Sequence, residues 1–332
     1  MHGHIVQELH WLKGFSDMMN SKRTVKIGTR GSALATRQAE WVKKALEASS
    51  DGIRVELVFI KTKGDRIQDV PLAKVGGKGL FVKEIEEALI AGRVDLAVHS
   101  MKDVPAELPP QLTIGCIPER EDPRDVLVTN GDFSSIGELP PGASVGTSSL
   151  RRQSQLLHYR PDIKVESLRG NLDTRLKKLK AGNFHAIILA AAGIHRMGWE
   201  EVITSYFAPE EFLPAIGQGA LGIEVRKDDE EMLKLISIIH DRKTATCVEA
   251  ERSFLGELEG GCQVPIGGFC RFIESDKIEM TGMVATLDGR EMYKETFTGS
   301  PADAGSIGRE LAKKLLSMGA RKILNEVYGN SC

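Results

Sequence analysis

Two side chains in this sequence stand where chemistry is possible, a carboxylate at a strand end and a thiol among glycines. Val98-His99-Ser100-Met101-Lys102-Asp103-Val104-Pro105 sets Asp103 beside Lys102 at the end of an apolar stretch. If that stretch is a buried strand, Asp103 points into the crevice beyond it. There it could act as acid or base, or stabilise a positive intermediate. The bland alternative is a simple ion pair with Lys102. In Leu258-Glu259-Gly260-Gly261-Cys262-Gln263-Val264-Pro265 the thiol of Cys262 follows a helical stretch and is flanked by glycines on one side and Gln263 on the other. That is a loop position, where a thiol is free to act as a nucleophile. Cys116, inside an apolar segment, fits the commoner class of small buried hydrophobe.

The strongest local signal is charge. Ten Lys/Arg and three Asp/Glu lie between Thr147 and Arg196, a net of +7 in a chain whose total is −2. Arg151 and Arg152 open a helix after Gly146-Thr147-Ser148-Ser149, Arg169 precedes Gly170-Asn171, and Arg175 follows one turn into the next helix. Planar guanidinium forks placed by glycine turns suit bidentate carboxylates or phosphates. A helix N-terminus carrying hydroxyls is itself an anion site. Lys177, Lys178 and Lys180 read instead as a solvated face. Gly28-Thr29-Arg30-Gly31-Ser32 repeats the form of strand, glycine turn, arginine and N-cap serine. Leu72-Ala73-Lys74-Val75-Gly76-Gly77-Lys78-Gly79 departs from the phosphate-binding P-loop, because Gly79 replaces the hydroxyl residue after Lys78. It reads as a cationic loop over a cleft. The ligand these residues call for is a polyanion.

The elements that would position these groups alternate. Val25–Gly28, Ile53–Ile60 and Val94–His99 are strand-like; Ser32 to about Ser49 and Phe81–Ala91 are helix-like. After the charged link Pro118–Arg124 the pattern restarts, with strands near Asp125–Thr129, Ser144–Gly146, Lys164–Ser167 and Ala186–Ala190 and helices near Leu150–Tyr159 and Leu172–Ala181. Pro214–Ala220 looks like a return crossing into the strand Leu221–Val225. Strands separated by helices predict parallel sheets with right-handed crossovers. From about Asp241 the order changes to a helix (Ala245–Leu258), three strands (Gly268–Ile273, Lys277–Thr286, Glu291–Thr298) and one long helix from Ala302 to Tyr328. The expected division is an N-terminal extension (1–22), an α/β lobe (23–118 with 219–240), a second α/β lobe (119–218) and a small α+β domain (241–332). Open sheets bind ligands beyond the carboxyl ends of their strands, so the cleft between two such lobes is the expected site.

Composition limits the function. The chain has 332 residues, 41% hydrophobic and 27% charged, enough for two or three domains. No apolar run approaches a bilayer span, and the first 22 residues hold no uninterrupted apolar core of a signal peptide. Near-neutral charge gives no general attraction to nucleic acid or anionic membrane. Five scattered cysteines without a C-x-x-C pair suggest neither a disulfide framework nor a metal site, and point to a reducing cytoplasm.

Taken together, Val75-Gly76-Gly77-Lys78-Gly79-Leu80-Phe81, Val98–Pro105, Gly146–Arg152, Leu168-Arg169-Gly170-Asn171 and Leu258–Pro265 resemble the porphobilinogen deaminases, or hydroxymethylbilane synthases, in order from about Val25 to Tyr328. The resemblance implies an α/β fold of two periplasmic-binding-protein-like (type II) lobes plus a small C-terminal α+β domain. It implies a transferase that joins four porphobilinogen molecules stepwise, with loss of ammonia, onto a dipyrromethane cofactor, and releases hydroxymethylbilane. Cys262 matches the residue that carries the cofactor as a thioether, and Asp103 the catalytic carboxylate that holds pyrrole N–H groups. Lys78, Lys102, Ser148, Ser149, Arg151, Arg152 and Arg169 match cofactor contacts, with Asp103 among them. Arg30, Ser32, Lys74, Arg175, Arg196 and Gln218 match substrate contacts. No metal, nucleic acid or membrane is implied, and a monomer is expected. A two-lobed anion receptor without catalysis would share the arginines but leaves the third domain and Cys262 unexplained. An RNA-binding protein would need more stacking aromatics than Tyr159 and Phe184 in the basic segment.

Overall fold

Residues 24–49, 52–66, 82–258 and 264–329 are described by the computed structural model. In β1 (Thr24–Thr29) Val25 and Ile27 are covered while Lys26 stays exposed. The same apolar logic builds β2 (Arg54–Phe59), β3 (Leu96–Ser100) and β4 (Leu112–Cys116). Helices α1 (Ala33–Ser49) and α2 (Lys83–Ile90) cover opposite faces: Ala39, Val42 and Leu46 pack with Val25, Ile27 and Val98, and Ile85 and Leu89 with Ala97.

The second half repeats this plan with β5 (Asp125–Thr129), β6 (Ser144–Gly146), α3 (Leu150–Tyr159), β7 (Lys164–Glu166), α4 (Leu172–Lys180), β8 (Ala186–Ala190), α5 (Ala191–Met197) and the short β9 (Ser205–Tyr206). The chain then returns through β10 (Leu221–Arg226) and α6 (Glu230–Ile236). The two five-stranded sheets have equivalent orders, β2-β1-β3-β10-β4 and β7-β6-β8-β5-β9. These are the two lobes of the expected architecture.

The prediction of parallel sheets needs correction, since both are mixed. β10 runs antiparallel to β3 and β4, and β5 runs antiparallel to β8 and β9. The reversed strand is in each case the one that follows a crossing. Leu221 pairs with Ser100 and Asp125 with Ala190, so each incoming strand starts at the carboxyl end of its neighbour and runs back. Both crossings therefore pass beside the carboxyl ends of the parallel strands. Sequence periodicity also missed α5 and α6, which are too short to show an apolar stripe.

The third domain packs α7 (Arg242–Glu257) and α8 (Ala304–Leu315) on an antiparallel sheet of β11 (Ile266–Glu274), β12 (Lys277–Ala285) and β13 (Met292–Gly299). Phe254, Leu311, Leu315, Met280 and Val284 form its core. The predicted single C-terminal helix is interrupted by a wide turn over Leu316–Ala320 before α9 (Arg321–Gly329). Gly319 takes φ 129°, and a β-carbon there would lie 2.5 Å from the Tyr293 hydroxyl. Only glycine serves at that bend.

One carboxylate joins all three parts. Glu251 of α7 is fully buried and accepts hydrogen bonds from Arg120 Nη1 (2.6 Å) and Nη2 (3.2 Å), the Gly217 N–H (2.7 Å) and the Cys270 N–H (2.9 Å). Arg120 lies in the first crossing, Gly217 in the second and Cys270 in β11. Glu251→Ala leaves the Arg120 guanidinium, itself largely covered, without its counter-charge. The expected loss is about 3–5 kcal/mol, read as a lower urea midpoint. An unchanged midpoint would show that this carboxylate does not hold the crossings.

Candidate active site

The carboxyl ends of the parallel strands from both lobes face one cavity of about 720 Å³. On the first lobe the turn after β1 brings Arg30 and Ser32, and a single helical turn after β3 (Met101–Asp103) brings Lys102 and Asp103. Buried Met101 fixes that turn, its N–H donating to the Ala220 carbonyl at 3.0 Å and its carbonyl accepting from the Val104 N–H at 3.1 Å. Arg252 of α7 secures the turn from behind, donating to the Val104, Pro105 and Ala106 carbonyls at 3.3, 2.7 and 3.1 Å. On the second lobe Ser148, Arg152, Arg169, Arg175 and Arg196 reach the cavity, and Gln218 enters from the second crossing.

Ten of the residues singled out from sequence thus share one lining. Two others stand outside it. Ser149 caps α3, its hydroxyl accepting from the Arg152 N–H at 3.4 Å. Arg151 is buried behind the wall, donating from Nη1 to Asp125 Oδ2 (2.7 Å) and to the Leu213 carbonyl (2.6 Å). Lys74, Lys78 and Cys262 lie outside the described residues.

Sequence reading missed Asp125, the anchor of this wall. It is completely buried at the start of β5 and takes Arg151 on one oxygen. Its other oxygen accepts from Arg152 Nε (3.1 Å) and Nη2 (2.7 Å) and from Gln218 Nε2 (3.0 Å). Burial alone would raise the Asp125 carboxyl, but the two guanidiniums hold it well below the usual carboxylate range. Its one signal in the sequence is an acid at the head of the apolar run Asp125-Val126-Leu127-Val128. Such a residue must be paired when the strand is buried.

One carboxylate cannot neutralise two guanidiniums, so the wall keeps an excess positive charge. Burial pushes Lys102 below the ordinary lysine range, with Arg152 and Arg175 adding to the effect against the opposing charge of Asp103. Burial likewise lowers Arg175 and Arg196 to about 10, leaving both protonated at neutral pH. The described lining holds seven basic residues against Asp103 and Asp173, a net of +5. Gln218 keeps Oε1 buried with no hydrogen-bond partner in the protein. Leu168, Leu172, Ala190 and Ala192 supply apolar wall between the charges. This donor set fits a flat, apolar ligand with several carboxylates and an N–H, which is the chemistry of a dipyrrole bearing acid side chains. Leu258 and Val264, which flank the segment containing Cys262, are both buried in the third-domain core.

Comparisons with known proteins agree with that fit. A family model described as "Porphobilinogen deaminase, dipyromethane cofactor binding domain" matches residues 25–234, and one described as "Porphobilinogen deaminase, C-terminal domain" matches residues 245–317. The chain is 60% identical over 306 residues to the porphobilinogen deaminase of Syntrophobacter fumaroxidans, covering 92% of this chain and 98% of the relative. It is 52% identical over 306 residues to that of Bacillus subtilis, covering 92% and 96%. Among solved structures it is similar to an arginine-specific periplasmic binding protein of Salmonella typhimurium, at 19% identity and a TM-score of 0.36, covering 67% of this chain and 94% of that one.

Asp125→Asn keeps the shape of the anchor and removes its charge. At neutral pH the variant is expected to be less stable by about 3–5 kcal/mol. Because the folded protein holds this carboxyl below its unfolded value, the contribution is complete above that value, ~3.9, and is lost as pH falls beneath it. The difference between the two proteins in urea unfolding should therefore narrow from about pH 4 downward. A difference that stays constant into acid would mean that Asp125 is not the charged anchor.

Proposed function

The chain belongs to the porphobilinogen deaminase family, and from that premise we propose that its inter-lobe cavity is where four porphobilinogen molecules are joined stepwise, with loss of ammonia, into hydroxymethylbilane. The observation that carries the assignment to this cavity is its seven basic side chains around the carboxylate of Asp103. Porphobilinogen bears an acetate and a propionate on one pyrrole ring, which is the charge pattern this lining complements.

The dipyrromethane cofactor, when bound, supplies the pyrrole terminus onto which the first substrate is joined. Cys262 is proposed to carry it as a thioether. Lys78, Lys102, Ser148, Arg152 and Arg169 are proposed to hold its carboxylates, and Arg30, Ser32, Lys74, Arg175, Arg196 and Gln218 to bind incoming substrate. Arg151 and Ser149 serve from behind, Arg151 by sharing Asp125 with Arg152 and Ser149 by capping the helix that presents both arginines.

Asp103 has the central chemical role. When the carbon–nitrogen bond of the substrate breaks, ammonia leaves with the electron pair and the ring with its methylene becomes a cation. A cavity of arginines alone would oppose that charge. Substrate carboxylates neutralise the arginines, and the Asp103 carboxylate accepts the pyrrole N–H and stabilises the cation at the reacting ring. The Arg252 contacts to the turn that follows keep this carboxylate from drifting.

No described helix is long and apolar enough to cross a membrane. Cys116, Cys247 and Cys270 are free and buried, and burial pushes the Cys116 thiol up to about 12. These inert thiols suit the proposed setting of a monomer in a reducing cytoplasm.

Intact mass of the purified protein should show a dipyrrole adduct that disappears in Cys262→Ser. Unmodified protein with full activity would sink the assignment. Asp103→Asn should keep the adduct and the fold while turnover drops by roughly 100-fold or more. Near-normal turnover in that variant would remove Asp103 from the mechanism.

A further inference from the structure

Among the cations of the cavity, Lys61 differs from the rest. Arg152 is engaged by Asp125 and the Ile188 carbonyl, Arg175 by the Gly170 carbonyl, and Arg196 by the Gly219 carbonyl. Arg30, Lys102 and Arg169 each have an interaction within the protein as well. Lys61 alone, among the described lining residues, is a cation with no hydrogen bond or ion pair. Its side chain is exposed, whereas Arg152 is buried, so it stands at the rim of the cavity and not in its depth.

The backbone that carries it is nonetheless held on both sides. The Ile60 N–H donates to the Thr29 carbonyl at 2.8 Å, Thr62 is fully buried, and the Lys63 N–H donates to Glu84 Oε1 at 2.8 Å. A long, unpaired ammonium on a fixed base suits a ligand whose position changes, because a lysine acts as a point charge with a flexible reach and not as a rigid fork.

Resting on the reading of this cavity as the site of stepwise polymerisation, we infer that Lys61 is a carboxylate-binding residue for the later units of the growing chain. The charge balance of the described lining favours such a group. A dipyrrole with an acetate and a propionate on each ring carries four carboxylates, and each added unit brings two more. Without Lys61 the described lining has a net of +4, so its deep cations are matched by the four carboxylates of the dipyrrole itself. Carboxylates of later units need charge at the rim, and Lys61 offers it without first breaking a contact.

The test uses the holoenzyme, followed by native mass spectrometry during turnover with porphobilinogen. Lys61→Gln should load the dipyrrole normally and accumulate intermediates carrying two or three substrate units. The late additions should slow by about 2- to 5-fold, the size expected of one exposed ion pair. Lys61→Glu should slow them further, Lys61→Arg should restore them, and raised salt should shrink the differences. An intermediate distribution unchanged in both Lys61→Gln and Lys61→Glu would overturn the role of Lys61. Loss of the dipyrrole in these variants would also overturn it, since the defect would then lie in assembly. Unaltered protein with no dipyrrole adduct would overturn the polymerisation reading itself.

Discussion

The buried carboxylate of Glu251 is the interaction on which the three-part architecture depends. Two lobes joined by two crossings have no intrinsic reason to sit still against a third domain. Glu251 gives them one, because it takes donors from the first crossing (Arg120), the second (Gly217) and β11 (Cys270) at a single buried site. Arg120 adds its Nε–H to the Gln218 carbonyl at 2.8 Å, tying the two crossings to each other as well. A buried ion pair is weak evidence of net stability, but with every acceptor filled it fixes one geometry against alternatives.

The same principle, applied with a deliberate deficit, makes the cavity. Asp125 compensates one of the two guanidiniums it binds, so the wall of the second lobe is positive before any ligand arrives. The deficit is eased where Arg151 and Arg152 also reach the backbone carbonyls of Leu213 and Ile188, while Arg151 Nε stays buried without a partner. It is also useful, since binding a carboxylate relieves it. Arg152 is therefore a structural residue that also lines the cavity, while Arg151, one position earlier on the helix, is buried behind it and shares its carboxylate.

The third domain reaches both sides of this cavity. Arg252 grips the turn that follows Asp103 on the first lobe. At the other side the tip of the β12–β13 hairpin meets α3, with the His158 ring nitrogen 2.8 Å from the Gly289 carbonyl and Gln153 donating to the Leu287 carbonyl. The helix that presents Arg152 and the turn that presents Asp103 are thus referenced to one body. Glu251 and Arg252 are neighbours on α7, so the crossings and the turn that presents Asp103 are held by consecutive residues of one helix.

Local pattern marked the residues of the proposed chemistry, and the family resemblance supplied its name. Spaced arginines near glycine turns, a carboxylate at a strand end and a thiol after two glycines are written in adjacent residues. The apolar stripes that mark most strands and the longer helices are likewise local. Sequence alone could not show that the sheets are mixed, because strand direction depends on where a distant crossing delivers the chain. Nor could it separate Arg151 from Arg152, or find Asp125, Glu251 and Arg252. Their roles arise from partners up to 148 residues away, Arg252 and Val104 among them. What decides those roles is the cost of burying an unpaired charge, and only the packed structure determines which charges are buried and what they meet.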